Sequence, residues 1–169
     1  MNVPEILRQA GLKKKENKKF VLKLQTKKAL IKQIDEIVHE IHDEVFEKID
    51  CLQCANCCKT TSPIFKMYDI ERLSKHFRVK AHDFIEEFLR MDGDGDYILR
   101  EAPCPFLDTD NSCTVYDFRP NACREYPHTN RKKFYQLLDL SLTNTEICPA
   151  VFEIFERLKP ILDKPSNKQ

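Results

Sequence analysis

Four of the chain's eight cysteines fall within eight residues, Cys51-Leu-Gln-Cys54-Ala-Asn-Cys57-Cys58, and no other stretch restricts its chemistry and fold as tightly. Cys-x-x-Cys spacing lets one backbone turn aim two thiolates at one ion, with metal–sulfur bonds of about 2.3 Å. Cys54-x-x-Cys57 repeats the step, so Cys51, Cys54 and Cys57 can share a centre. Cys58 is different. Its Cα lies about 3.8 Å from that of Cys57, and neighbouring side chains diverge in both helix and strand. The pair is therefore not expected to chelate one ion side by side. Either the two serve different centres, or one ligates and the other supports it.

The other cysteines follow singly at Cys104, Cys113, Cys123 and Cys148. Zinc and iron–sulfur sites mostly take four protein ligands. Eight thiols fill two such centres, but one centre with spare thiols or a thiolate-bridged cluster fits the count as well. All eight are candidate metal ligands. An even count also permits disulfides. However, the start, Met1-Asn-Val-Pro-Glu, shows no charged segment leading into an apolar one, as a secretory signal would. A cytoplasmic location is expected, where thiols stay reduced and such spacings mark metal binding or, as the lesser alternative, a redox dithiol.

Only three glycines and no tryptophan among 169 residues argue against a turn-rich all-β protein. They also leave little material for a phosphate-cradling loop. The formal net charge of +1 points to no strong partner. No apolar run approaches the ~20 residues of a membrane span, so no membrane partner is expected. The fold class expected is a mostly helical α+β domain with a short β-ribbon, preceded by a long N-terminal helix. Metal is expected to replace much of the core between residues 50 and 127.

Three segments follow: a basic arm and amphipathic helix (1–50), a cysteine-cluster domain (51–150), and a C-terminal helix with its tail (151–169). In the arm, nine lysines and arginines face only Glu5 and Glu16 within residues 1–28. A single-strand binder would interleave stacking aromatics. Here there is only Phe20, so a solvated, partly ordered arm is expected and a nucleic-acid partner is not. Residues 26–50 read as one helix, since Leu30, Ile31, Ile34, Val38, Ile41, Val45 and Ile49 recur at helical steps. Its acidic outer face complements the basic arm. His39 and His42 read as a surface pair rather than a metal site. Asp69 reads as the N-cap of a helix over 70–77, and a second helix is expected over 81–91. Asp92-Gly-Asp94-Gly-Asp96 opens like a calcium loop but lacks glycine at the sixth position and glutamate at the twelfth, so it reads as an acidic turn. Tyr97–Arg100 is expected to form a ribbon with Cys113–Tyr116, bringing Cys104 near Cys113. Cys123 sits in a short helix begun by Arg119-Pro120. Phe134, Leu137, Leu138, Leu140 and Leu142 are expected to supply core. Cys148-Pro149 leads into a last helix buried through Val151, Ile154, Phe155 and Leu158, with the tail from Asp163 frayed.

Cys51-x2-Cys54-x2-Cys57-Cys58, then Cys104-Pro-Phe-Leu-Asp, then Cys113-Thr-Val-Tyr-Asp-x-Arg119-Pro120-x-x-Cys123-Arg124-x-Tyr-Pro127 resembles the bacterial cysteine-cluster family of the YkgJ type. A related pattern occurs in flagellin lysine-N-methylases. The resemblance spans about residues 50–150 and implies a zinc- or iron-chelating domain. The triple Cys-x2 run also resembles half of a ferredoxin signature, so an iron–sulfur cluster, 4Fe-4S, is preferred over Zn2+. Arg119 and Arg124 bracket Cys123 and could hydrogen-bond coordinated sulfur, tuning a centre from outside its ligands. Ion pairs to Asp117 or Glu125 are the plainer use of them. Tyr116, Tyr126 and His128 lie near the same ligands, and His128 is a substitute ligand at most. Two functions follow. One is a metal-cluster protein with a redox or protein-modification role, working with a redox or other protein partner. The other is a non-enzymatic interaction module stabilised by structural zinc. No fingerprint in the chain fixes a catalytic residue.

Overall fold

Ile34, Val38, Ile41 and Val45 are spaced for one helical face, and they are buried along a helix in the computed structural model, which describes residues 2–26 and 33–163. In chain order the helices are Val3–Leu12 (α1), Lys14–Thr26 (α2), Ile34–Phe46 (α3), Cys51–Cys54 (α4), Asn56–Thr60 (α5), Met67–Phe77 (α6), Ala81–Phe88 (α7), Asn121–Glu125 (α8), Leu138–Asn144 (α9) and Pro149–Asp163 (α10). Two strands, Leu89–Met91 (β1) and Tyr97–Leu99 (β2), complete a mostly helical α+β fold. The described chain divides into two compact units, Met1–Asp50 with Pro127–Gln169, and Cys51–Tyr126. Residues 127–150 thus group with the N-terminal helices rather than with the cysteine run. No described helix is long and apolar enough to cross a membrane.

The first unit is a helical assembly. Phe20, Val21 and Leu24 of α2, the buried face of α3, and Val151, Ile154, Phe155 and Leu158 of α10 form one core with Phe134 and Leu138. Phe20 meets Phe155 edge-on, with ring centroids 5.9 Å apart. The expectation of a partly ordered basic arm is corrected here. Its apolar residues recur at helical spacing among the lysines, and their burial outweighs the local charge density. The lysines also find acids elsewhere than on α3: Lys13 bonds Glu156, and Lys14 lies 3.0 Å from Glu146. The long helix is seen only from Ile34 to Phe46. Its expected start, with Leu30 and Ile31, lies outside the described residues, as does the tail beyond Asp163. Ile49 packs against the same core from beyond the helix end. Leu140, expected in the core, is 43% exposed.

The second unit has an apolar core of its own, Phe65, Ile70, Leu73, Phe84, Leu89, Leu99, Phe106 and Val115. This corrects the expectation that metal stands in for much of it. The ribbon also differs from the expected one. β2 pairs antiparallel with β1, Leu89 opposite Leu99 and Met91 opposite Tyr97. Residues 89–91 therefore leave α7 at Phe88 and become strand, where Leu89 is buried under the sheet. The acidic stretch is the connecting turn. Asp92 Oδ1 accepts from the amides of Asp94 (3.0 Å) and Asp96 (2.9 Å), and Gly95 takes φ +82°.

Candidate metal centre

The cysteine run folds as two single-turn helices broken at Ala55, which sits at φ +46° and is buried. Left-handed backbone costs an alanine roughly 1 kcal/mol, and here it interrupts the run between α4 and α5. Cys51 on α4 is exposed and Cys54 is half-buried. On α5 the sulfurs of Cys57 and Cys58 lie 3.9 Å apart, in hydrogen-bond contact. The expectation that neighbouring side chains diverge is thereby corrected. A helical step of about 100° leaves adjacent Cβ atoms near enough for two sulfurs to turn toward each other.

The later cysteines of this unit are carried to the same place by a loop rather than a ribbon. The Cys104 amide donates to the Cys58 carbonyl at 2.8 Å, and the Leu107 amide to the Cys104 carbonyl at 3.0 Å. Leu107 then bridges Cys113, around the polar turn Asp108–Ser112 that brings the chain back. Asn111 anchors that turn by donating from Nδ2 to the Leu52 carbonyl of α4 at 2.9 Å. Cys123 lies within α8.

Electrostatics connect these thiols. Burial pushes the Cys123 thiol up to about 12, and negative charge on Cys58, Cys104 and Cys113 adds to the rise. Burial likewise lifts Cys104 to about 11, and the charges of Cys58 and Cys113 add while backbone amides oppose. Cys113 is raised by burial first and by Cys58 next. Cys58 goes the other way. A hydrogen bond from Cys57 holds it down to about 7, with Arg119 and Lys59 helping against burial. The set is one nascent thiolate among three neutral thiols. Proton loss from the neutral three needs a cation to replace the protons, which is what a divalent ion supplies. Among the described residues, no three His, Cys, Asp or Glu side chains already stand as a finished ion-binding group.

Arg119 and Arg124 separate in role. Arg119 lies over the Tyr116 ring, with Cζ 3.5 Å from its centroid, and its charge favours the thiolates of Cys58, Cys113 and Cys123. Arg124 turns back to the main chain, donating to the carbonyls of Arg119 (3.0 Å) and Asp117. Cys148 belongs to the other unit, half-buried against its core just before α10. His128 is also in that unit, at φ +68°. His39 and His42 bond to the Arg131 carbonyl (3.1 Å) and to Thr129 Oγ1 (2.7 Å).

Two residues have a part that sequence reasoning did not give them. Asp69, expected as the N-cap of α6, caps it from the third helical position by accepting from the Lys66 amide at 3.2 Å, and is buried with Arg72 at 2.7 Å. Both reach the segment before Cys123. Their i, i+3 spacing was visible, but such pairs are common on helices and this one carried no pointer to its distant target.

A family model, CxxCxxCC, described as a putative zinc- or iron-chelating domain, matches residues 50–146. No curated protein and no solved structure matches the chain.

Proposed function

The chain belongs to the CxxCxxCC family of zinc- or iron-chelating domains, and from that premise we propose that Cys58, Cys104, Cys113 and Cys123 together hold one metal ion, zinc being the best fit. The observation that carries this reading is that the half-buried thiols of Cys104, Cys113 and Cys123 all lie within electrostatic reach of Cys58, the one of the four nearest to a thiolate at neutral pH. Four thiolates and a closed tetrahedral shell are zinc's structural mode. Cys57 donates to Cys58 and so keeps charge on it. Arg119 offsets part of the negative charge that four thiolates would leave on a divalent ion. An ion held this way is redox-silent and cross-links α5, the 104–113 loop and α8. The chain then acts as a metal-stapled module toward a protein partner, without catalysis of its own.

An iron–sulfur cluster is the second reading. Seven of the eight cysteines fall within Cys51–Tyr126, which leaves Cys51, Cys54 and Cys57 beyond a four-thiol ion. A cubane takes one thiolate per iron and would recruit that run, with Arg119 tuning its potential and a redox or protein-modification role following. Purification without oxygen, followed by zinc, iron and acid-labile sulfide analysis, separates the two. One zinc per chain without sulfide is expected. Iron with equal sulfide would replace the zinc reading with the cluster.

A further inference from the structure

Helix α6 does more than bury Ile70 and Leu73. Its polar side chains converge on residues 118–121, the approach to Cys123. Asp69 is 1% exposed and accepts from the Asn121 amide at 3.1 Å, from Arg72 Nη2 at 2.7 Å and from the Lys66 amide at 3.2 Å. Arg72 also donates to the carbonyls of Phe118 (3.3 Å) and Arg119 (2.7 Å). One turn later, His76 stacks on the Phe118 ring at 4.1 Å. The gripped segment contains Pro120, which has no N–H to give a regular ladder. A buried carboxylate is costly unless fully bonded. Of the three donors that bond this one, the Lys66 amide and Arg72 belong to α6 and its cap, and the Asn121 amide comes from the gripped segment.

We propose that Asp69 and Arg72 are positioning residues for the metal centre, setting through the main chain of residues 118–121 where Cys123 and the Arg119 guanidinium stand relative to Cys58. The inference rests on the reading that Cys123 binds metal. Arg119 carries the coupling. Its carbonyl is shared by Arg72 and Arg124, its Nε donates to the Tyr116 carbonyl at 2.8 Å, and its charge falls on three of the four thiols. A shift of that peptide moves the cation and the start of α8 together. Lysine at position 72 keeps the charge beside Asp69 but cannot span two carbonyls as guanidinium does.

The test uses the full chain with Co(II) as the probe and three variants: Arg72→Lys, Asp69→Asn and Asn121→Pro. Asn121→Pro removes the amide donor to Asp69 together with the Nδ2 donation to Tyr68 Oη of α6 at 3.3 Å, and the backbone accepts it, because proline suits the first helical position and Pro120 at ψ 151° already has the conformation that precedes a proline. Glu71→Gln, exposed on the same helix, is the control. Folding is checked by circular dichroism. Co(II) affinity should fall about 10–100-fold in Arg72→Lys and Asp69→Asn, as when partners behind metal ligands are lost. The ligand-field bands should shift, with a smaller effect in Asn121→Pro and none in Glu71→Gln. In the metal-free protein, Cys123 should alkylate faster in the same order. Wild-type affinity, spectrum and Cys123 rate in the folded variants would overturn the proposal. Failure of the unaltered protein to take up Co(II) would count against the metal reading instead, and the Cys123 rates alone would then decide the positioning role.

Discussion

Cys57 Sγ and Cys58 Sγ are 3.9 Å apart on α5, so two chain neighbours form one hydrogen-bonded pair of sulfurs, and that bond lowers the Cys58 thiol to about 7. Of Cys58, Cys104, Cys113 and Cys123, only Cys58 is then nucleophilic at neutral pH, because reactivity follows the thiolate. Alkylation of metal-free protein, mapped by mass, should label Cys58 first among these four, with a midpoint near the value of about 7 that its surroundings set. Cys57→Ala should move that midpoint upward. Earlier labelling of Cys104 or Cys123, or no response to Cys57→Ala, would contradict the pairing.

Metal loading should release protons. At pH 7.5 Cys58 is mostly ionised, while Cys104, Cys113 and Cys123 are held neutral by burial. Binding one zinc to the four should therefore free about three protons, and affinity should rise with pH across 6–9 because each ligand binds only when deprotonated. Calorimetry in buffers of different ionisation enthalpy gives the count. A count near zero would show that the ion bypasses these thiols.

The 51–126 unit should stay folded without metal, unlike a zinc finger, because Phe65, Leu73, Phe84, Leu89 and Leu99 bury a core of their own. After chelation, hydrogen exchange should remain slow at Leu73 and Leu99 and become fast around Cys104–Cys123. Phe84→Ala, at a fully buried position, should cost about 3–5 kcal/mol in the metal-free state. Loss of protection throughout the unit on chelation would show that metal carries the core after all.

His42 makes the first unit sensitive to acid. Burial holds its imidazole below the ordinary 6.5. The unfolded chain therefore binds the proton more readily, and stability is full above about pH 6.5 and declines as pH falls through the window below it. Denaturant midpoints of the His42→Gln variant should decline less between pH 7 and 5 than those of the unaltered chain. Equal declines in both would place the acid sensitivity elsewhere.

Sequence reasoning reached what chemistry writes locally. The cysteine spacing, the Asp92–Asp96 turn, and the α10 stripe of Val151, Ile154, Phe155 and Leu158 could be read from residues close in the chain. It missed what depends on distant partners. Leu89 continued the helical pattern of Phe84, Ile85 and Phe88, and only pairing with Leu99 makes it strand. Phe20, Val21 and Leu24 were outweighed on paper by the lysines around them, yet they join a core built from residues 34–158. Asp69 has the composition of a cap, and its burial against Asn121, 52 residues away, left no local trace.

X-ray absorption at the metal edge of the protein as isolated tests the central claim most directly. The account predicts zinc with four sulfur neighbours at about 2.3 Å and no second metal. Cys58→Ser and Cys123→Ser should each reduce the sulfur count by one. Iron with a second iron nearby, a shell dominated by nitrogen or oxygen, or an unchanged sulfur count in both variants would contradict it.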